Sequence, residues 1–112
     1  MVQISDEELF YFYNNTIDKC GTFLLNETDE IIEYNIYEEF DIGIHSFFHP
    51  DNLKRLYNAK LLSYDKLNKS IHLHDMVIEL QKKDEWDFEH FRTSKEWRDI
   101  MILADKISAM AD

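Results

Sequence analysis

Apolar positions in this chain recur mostly at helical spacing. Ser5 followed three residues later by Glu8 forms a capping box, and Leu9, Phe10, Phe12, Tyr13, Ile17 and Cys20 then mark one side of a helix expected over 6–20. A second segment, 28–41, carries Ile32, Ile36 and Phe40 at i, i+4, i+8, with Thr28 as N-cap and three acids in its first turns, which predicts another helix. The run Ile32-Glu33-Tyr34-Asn35-Ile36-Tyr37 also holds β-favouring residues in partial alternation, so a strand is a second reading there. Gly21 and Gly43 each follow a periodic segment, where a left-handed C-terminal cap is expected. Residues 42–49 read as a short turn or irregular stretch that tucks its apolar side chains inward.

Pro50 suits the first position of a helix over 50–62, with Leu53, Leu56, Tyr57 and Leu61 on one face. Ser63 caps the next helix, whose expected stripe is Tyr64, Leu67, Ile71, His74 and Ile78, widened by Val77 and Leu80, with Glu79 four residues before Lys83. An aromatic connector spans 84–91. Ser94 caps the last helix, in which Trp97, Ile100, Met101, Ala104, Ile107 and Ser108 form the inward stripe, flanked by Leu103 and Met110. With no repeat, low-complexity run or linker in 1–112, the expected fold is one all-α domain, a compact, mostly antiparallel bundle of four to five helices.

Composition adds that the core can be built without a staple. A chain of 112 residues that is 45% apolar and carries 16 aromatics is not a disordered one, even at a net charge of −11. A single Cys20 leaves no internal disulfide and no zinc-finger spacing, which points to a reducing compartment. No apolar run approaches the ~20 residues of a spanning helix, and the N-terminus MVQISDEELFYF has acids where a signal peptide has bases. A cytoplasmic protein away from the membrane is expected, and the glycosylation-type triplets at Asn14, Asn26 and Asn68 are then accidents of composition.

Charge changes the picture most. Residues 1–41 hold 11 acids and one base, Lys19, a net −10; residues 42–112 hold 12 acids and 11 bases, a net −1. Such polarisation works against folding and suits the recruitment of a cationic partner. On a helix over 28–41, Glu30, Glu33, Tyr34, Tyr37, Glu38 and Asp41 fall at i, i+3, i+4, i+7, i+8, i+11 and share the face opposite Ile32, Ile36 and Phe40. An ordinary solvated helix face interleaves Lys with Glu, yet no base lies between Lys19 and Lys54. Tyrosines among acids supply rigid area with a polar tip, as recognition surfaces do. Glu7, Tyr11 and Asp18, with Glu8, Asn14 and Asn15, form a smaller version on the first helix.

Other chemistries lack their signatures. His45 and His49 stand at i, i+4 and His72 and His74 at i, i+2, but Ser46 follows His45 where a catalytic zinc helix needs Glu, and Pro50 interrupts the segment. Phosphate-cradling loops and nucleophile elbows need neighbouring glycines, whereas Gly21 and Gly43 are 22 residues apart. Neither a metal, a cofactor nor an enzymatic activity is expected. Direct nucleic-acid binding would require a basic face, and this chain offers the reverse.

In size, acidity, helical patterning and its acidic, tyrosine-bearing face, the chain resembles the small acidic cytosolic immunity proteins of bacteriocin and contact-dependent growth-inhibition toxin systems. Two segments add to the likeness: Glu39-Phe40-Asp41-Ile42-Gly43-Ile44-His45-Ser46-Phe47-Phe48 and Phe91-Arg92-Thr93-Ser94-Lys95-Glu96-Trp97-Arg98-Asp99-Ile100-Met101. The Asp-Tyr-Tyr-Pro motif of the colicin DNase immunity proteins is missing, so their binding residues do not transfer. The resemblance implies a basic toxin nuclease domain as partner, bound so that its active site or substrate path is blocked. A phage-type nucleic-acid mimic directed at a host nuclease or DNA-binding protein is the alternative with the same electrostatics. The oligomeric state is open, since spare Tyr and Phe side chains suit a homodimer as well.

Overall fold

The computed structural model describes residues 4–111; residues 1–3, where the N-terminal stretch discussed above begins, and residue 112 lie outside it. The architecture is all-α, with no strand among the described residues. Helix α1 spans Asp6–Ile17, a 3-10 turn follows at Thr22–Asn26, and α2 is a continuous helix in three windings: α over Asp29–Glu33, π over Tyr34–Phe40, α again over Asp41–His45. Helix α3 spans Pro50–Asn58, α4 Tyr64–Lys82, α5 Phe88–Thr93 and α6 Lys95–Ala109. The segment with a competing strand reading is therefore helical. The stretch expected to be irregular continues α2 to His45, and the aromatic connector contains a short helix not foreseen from periodicity.

Each helix starts on a side chain that accepts a backbone N–H, an arrangement worth about 1 kcal/mol per cap. Ser5 and Glu8 complete the capping box, both bonds at 3.1 Å. Thr28, Ser63 and Ser94 cap α2, α4 and α6 as expected, while His49 Nδ1 and Asp87 cap α3 and α5.

The glycines do not play the expected part. Neither is in the left-handed region; the left-handed positions are Lys60 (φ 65°) and Asp84 (φ 59°). After α3, the Lys60 N–H donates to the Tyr57 carbonyl and the Leu61 N–H to the Leu56 carbonyl. After α4, Asp84 and Glu85 donate likewise to Gln81 and Leu80. Both are Schellman closures made without glycine. Gly43 instead lies inside α2, buried, where a Cβ would overlap the Thr16 side chain of α1; a Cβ on Gly21 would overlap the Asp105 carboxylate of α6. Close approach, not backbone handedness, requires glycine at these two sites.

The winding of α2 follows from its apolar spacing. Ile32, Ile36, Phe40, Ile44 and Phe48 repeat every fourth residue and are all buried. At ~100° per residue, each four-residue step on an α-helix overshoots a full turn by ~40°, so Ile44 would stand ~120° away from Ile32. The wider π turns absorb this drift and hold the row on the core, as period mismatch is absorbed by supercoiling elsewhere.

The inward face of α4 differs from expectation. Leu67, Ser70, Leu73, Val77 and Leu80 are buried, whereas Tyr64 is exposed and Ile71, His74 and Ile78 are half-buried. Two apolar rows run along this helix, and Ser70 conceals which one is internal. Its hydroxyl lies 2.7 Å from the Tyr13 hydroxyl, which satisfies both buried groups. On α6 the expected stripe is buried except for Ser108, which is exposed. Helices α4 and α6 run antiparallel: Lys66 near the start of α4 reaches the Met110 carbonyl beyond the end of α6, while Leu80 and Ile100 line one groove toward the opposite ends. Trp97, fully buried, donates its indole N–H to the Glu85 carbonyl at 3.0 Å and lies 4.2 Å from Trp86, ring to ring.

Candidate functional site

The acidic face of α2 forms where this winding places it. Glu30, Glu33, Tyr34, Tyr37 and Glu38 line one open depression on the helix. Ile32, Ile36 and Phe40 anchor the opposite side in the core, so the depression rests on a fixed support. Tyr34 is exposed, and its hydroxyl donates to Glu39 Oε1 at 2.8 Å, a bond that raises the tyrosine pKa above its ordinary value. Tyr37 is half-buried against α5; burial raises its pKa first, with the carboxylates of Asp87 and Glu33 adding to it. Both phenols therefore stay protonated donors throughout the neutral range. Among the described residues, none of Glu30, Glu33 and Glu38 takes part in an ion pair.

Asp41, expected at the end of this face, is placed elsewhere. It accepts from Gln81 Nε2 of α4 at 2.7 Å, and His45 Nε2 lies 3.3 Å from the same carboxylate and 2.8 Å from Gln81 Oε1. Underwinding across Tyr34–Phe40 carries position 41 round toward α4 and leaves Ile42, expected to tuck inward, 58% exposed. Ile31, at 43%, is the other exposed apolar residue of α2 that periodicity did not single out. Both lie off the period-four row, which is the signal that marks them.

Glu7 and Tyr11 on α1, and Asp18 at its C-cap, are exposed. They do not line the depression, which takes all its residues from α2. Helix α1 meets both the π turns of α2 and its last α turns, where Gly43 receives Thr16, and Phe12 stacks at 4.8 Å on Phe47, just past the end of α2. At the other end of α2, Asp29 holds Arg92 of α5 at 2.9 Å while the guanidinium lies over the Phe88 ring, 5.4 Å from its centre. This carboxylate-and-ring seat for an arginine adjoins the depression through Tyr37, which packs with Asp87 and Phe88.

The histidines are distributed, not gathered. His49 and His74 meet edge to face at 6.3 Å, and each has a neighbouring carboxylate, Asp51 and Asp75. Among the described residues, no three His, Cys, Asp or Glu side chains converge in a way that would hold a metal ion. Cys20 is buried, and burial together with Asp105 pushes its thiol pKa far up, which leaves it unreactive. No helix of the described residues is long and apolar enough to cross a membrane. Comparison with known proteins returns no matching family model, curated protein or solved structure.

Proposed function

We propose that this protein is an immunity-type inhibitor that binds and neutralises a basic toxin nuclease domain in the cytoplasm. The observation that carries the reading is the depression on α2, where Glu30, Glu33 and Glu38 surround Tyr34 and Tyr37 with no cation among the described residues paired to the three carboxylates. Carboxylates left without partners on a rigid helix are preorganised for incoming Lys and Arg, and tyrosine area at their centre gives the contact an apolar anchor. The seat of Arg92 between Asp29 and Phe88 is an internal example of the same chemistry. The net −10 of residues 1–41 would steer a basic domain toward this side and raise its association rate, toward ~10⁸ M⁻¹s⁻¹ at low salt. Inhibition then needs no chemistry from the inhibitor itself, only occupation of a basic active site or substrate path.

The test uses the protein as bait in lysate of its own organism, with a Glu33→Lys, Glu38→Lys variant as control. The retained protein must be basic, must cleave nucleic acid when isolated, and must stop doing so when the wild type is added but not the variant. Equal retention and equal inhibition by the variant would remove the α2 face from the mechanism. A captured partner without nuclease activity would remove the toxin nuclease.

A further inference from the structure

A second concave surface lies between α4 and α6 and shares no residue with the depression on α2. Its floor is apolar, made by Met76, Leu80 and Ile100. Its rim carries Asp75 and Glu79 from α4 and Glu96 and Asp99 from α6, with Lys83 the one ammonium on the lining. From His72 to Lys83 the groove follows α4 and its C-cap over eleven residue steps, ~16 Å at 1.5 Å per step, with a volume of about 270 Å³. This is the length of a short peptide segment, with room for about one large side chain.

Each rim carboxylate has a polar neighbour outside the groove. Asp75 is held by His74 at 3.0 Å, Glu79 lies 3.8 Å from Lys82, Asp99 lies 3.5 Å from Lys95, and Glu96 accepts from the Ser94 hydroxyl at 3.0 Å. A backbone N–H and that hydroxyl keep the Glu96 pKa below its ordinary value. Lys82 and Lys95 offset Glu79 and Asp99 from outside, while on the lining itself an occupant meets four carboxylates against the Lys83 ammonium and the His72 ring.

We propose that this groove receives a short basic segment of a partner protein, an apolar side chain seated on Met76, Leu80 and Ile100 and a Lys or Arg on each side of it held by the carboxylates of α4 and α6. Charge complementarity selects this occupant. An acidic segment would face the rim's repulsion, and a purely polar one would leave the floor uncovered. The inference rests on the groove's own lining and stands whether or not the α2 face binds a toxin.

The experiment titrates acetyl-Lys-Leu-Lys-amide into the ¹⁵N-labelled full chain and follows backbone amide shifts. Saturable shifts at 72–83 and 96–100 are expected, with at least tenfold weaker binding of acetyl-Lys-Ser-Lys-amide and no saturation by acetyl-Glu-Leu-Glu-amide. Glu79→Gln with Asp99→Asn should weaken the first peptide at least tenfold. Met76→Lys, which places an ammonium in the groove from a half-buried position, should do the same, so one misfolded variant does not decide the result. Shifts confined to 30–38, equal binding of the serine peptide, or no saturation by any peptide would overturn the proposal; the first of these would leave the α2 reading intact.

Discussion

At Gly43 a hydrogen atom stands where any other residue would carry carbon, and the Thr16 side chain occupies the space. Because Thr16 is buried and its hydroxyl donates to the Phe12 carbonyl at 2.8 Å, it cannot swing aside without losing that bond. Gly43→Ala should therefore destabilise the fold by about 1–3 kcal/mol, the usual cost of overpacking, and Thr16→Ala in the same chain should recover part of it. Urea unfolding of the two variants measures both. Helical spacing alone does not reveal this role, since the glycine follows a periodic segment just as a C-terminal cap does. A second residue-scale expectation concerns His90, whose pKa is raised chiefly by its bond to Asp87 Oδ1 at 2.8 Å. The Asp87 pKa is lowered by the backbone N–H and the ring of His90. The histidine's contribution is present below its unfolded pKa and fades as pH rises through the raised folded value. The aspartate's is present above its unfolded pKa and fades as pH falls through the lowered one. The pair thus acts in the window between. An NMR titration should place the His90 midpoint above ~6.5, and Asp87→Asn should bring it down toward that value.

Element by element, the caps were the most legible part of the chain. Ser5, Thr28, Ser63 and Ser94 start the helices they were expected to start. Less legible were elements whose pattern admits two solutions: α4, where Ser70 interrupts the true buried row, and α2, where a strict four-residue repeat fits neither an ideal helix nor a strand. The π turns of α2 make a direct prediction. Deleting one residue there rotates the following turns by ~100°, close to the ~120° of drift that α winding would build up between Ile32 and Ile44. A chain lacking Asn35 should then fold with α2 wound as a regular α-helix and the apolar row still inward. Deleting Met76 from the regularly wound α4 should unfold the protein. Circular dichroism and thermal melts distinguish these outcomes. The candidate site was legible to the same degree as its helix: five of six α2 residues share a depression, and Asp41, the one beyond the π turns, is carried off to Gln81.

For the whole molecule, the uneven charge sets a conflict between stability and recruitment. Residues 1–41 carry −10, and three of these acids, Glu30, Glu33 and Glu38, line one depression of α2. Like charges on one helix face cost a few tenths of a kcal/mol per pair, and salt screens them. Glu33→Lys with Glu38→Lys lowers the net charge from −11 to −7 and should leave the free protein at least as stable as the wild type in low salt, by up to about 1 kcal/mol. The difference should shrink as salt is added, which thermal melts at two ionic strengths would read. A variant that is no less stable yet loses its partner would locate the cost of those carboxylates in function. A lower melting midpoint would mean that they support the fold.

The only two indoles, Trp86 and Trp97, lie 4.2 Å apart, with Phe40 stacked 6.3 Å from the first and Phe91 edge-on to the second at 5.0 Å. Phe40 ends the π turns of α2 and Trp97 lies in the first turn of α6, so the chain's tryptophan fluorescence originates where the acidic helix joins the rest of the bundle. Any event that moves α2 becomes visible in the emission of the unlabelled protein, without a dye on the surface whose charge is in question.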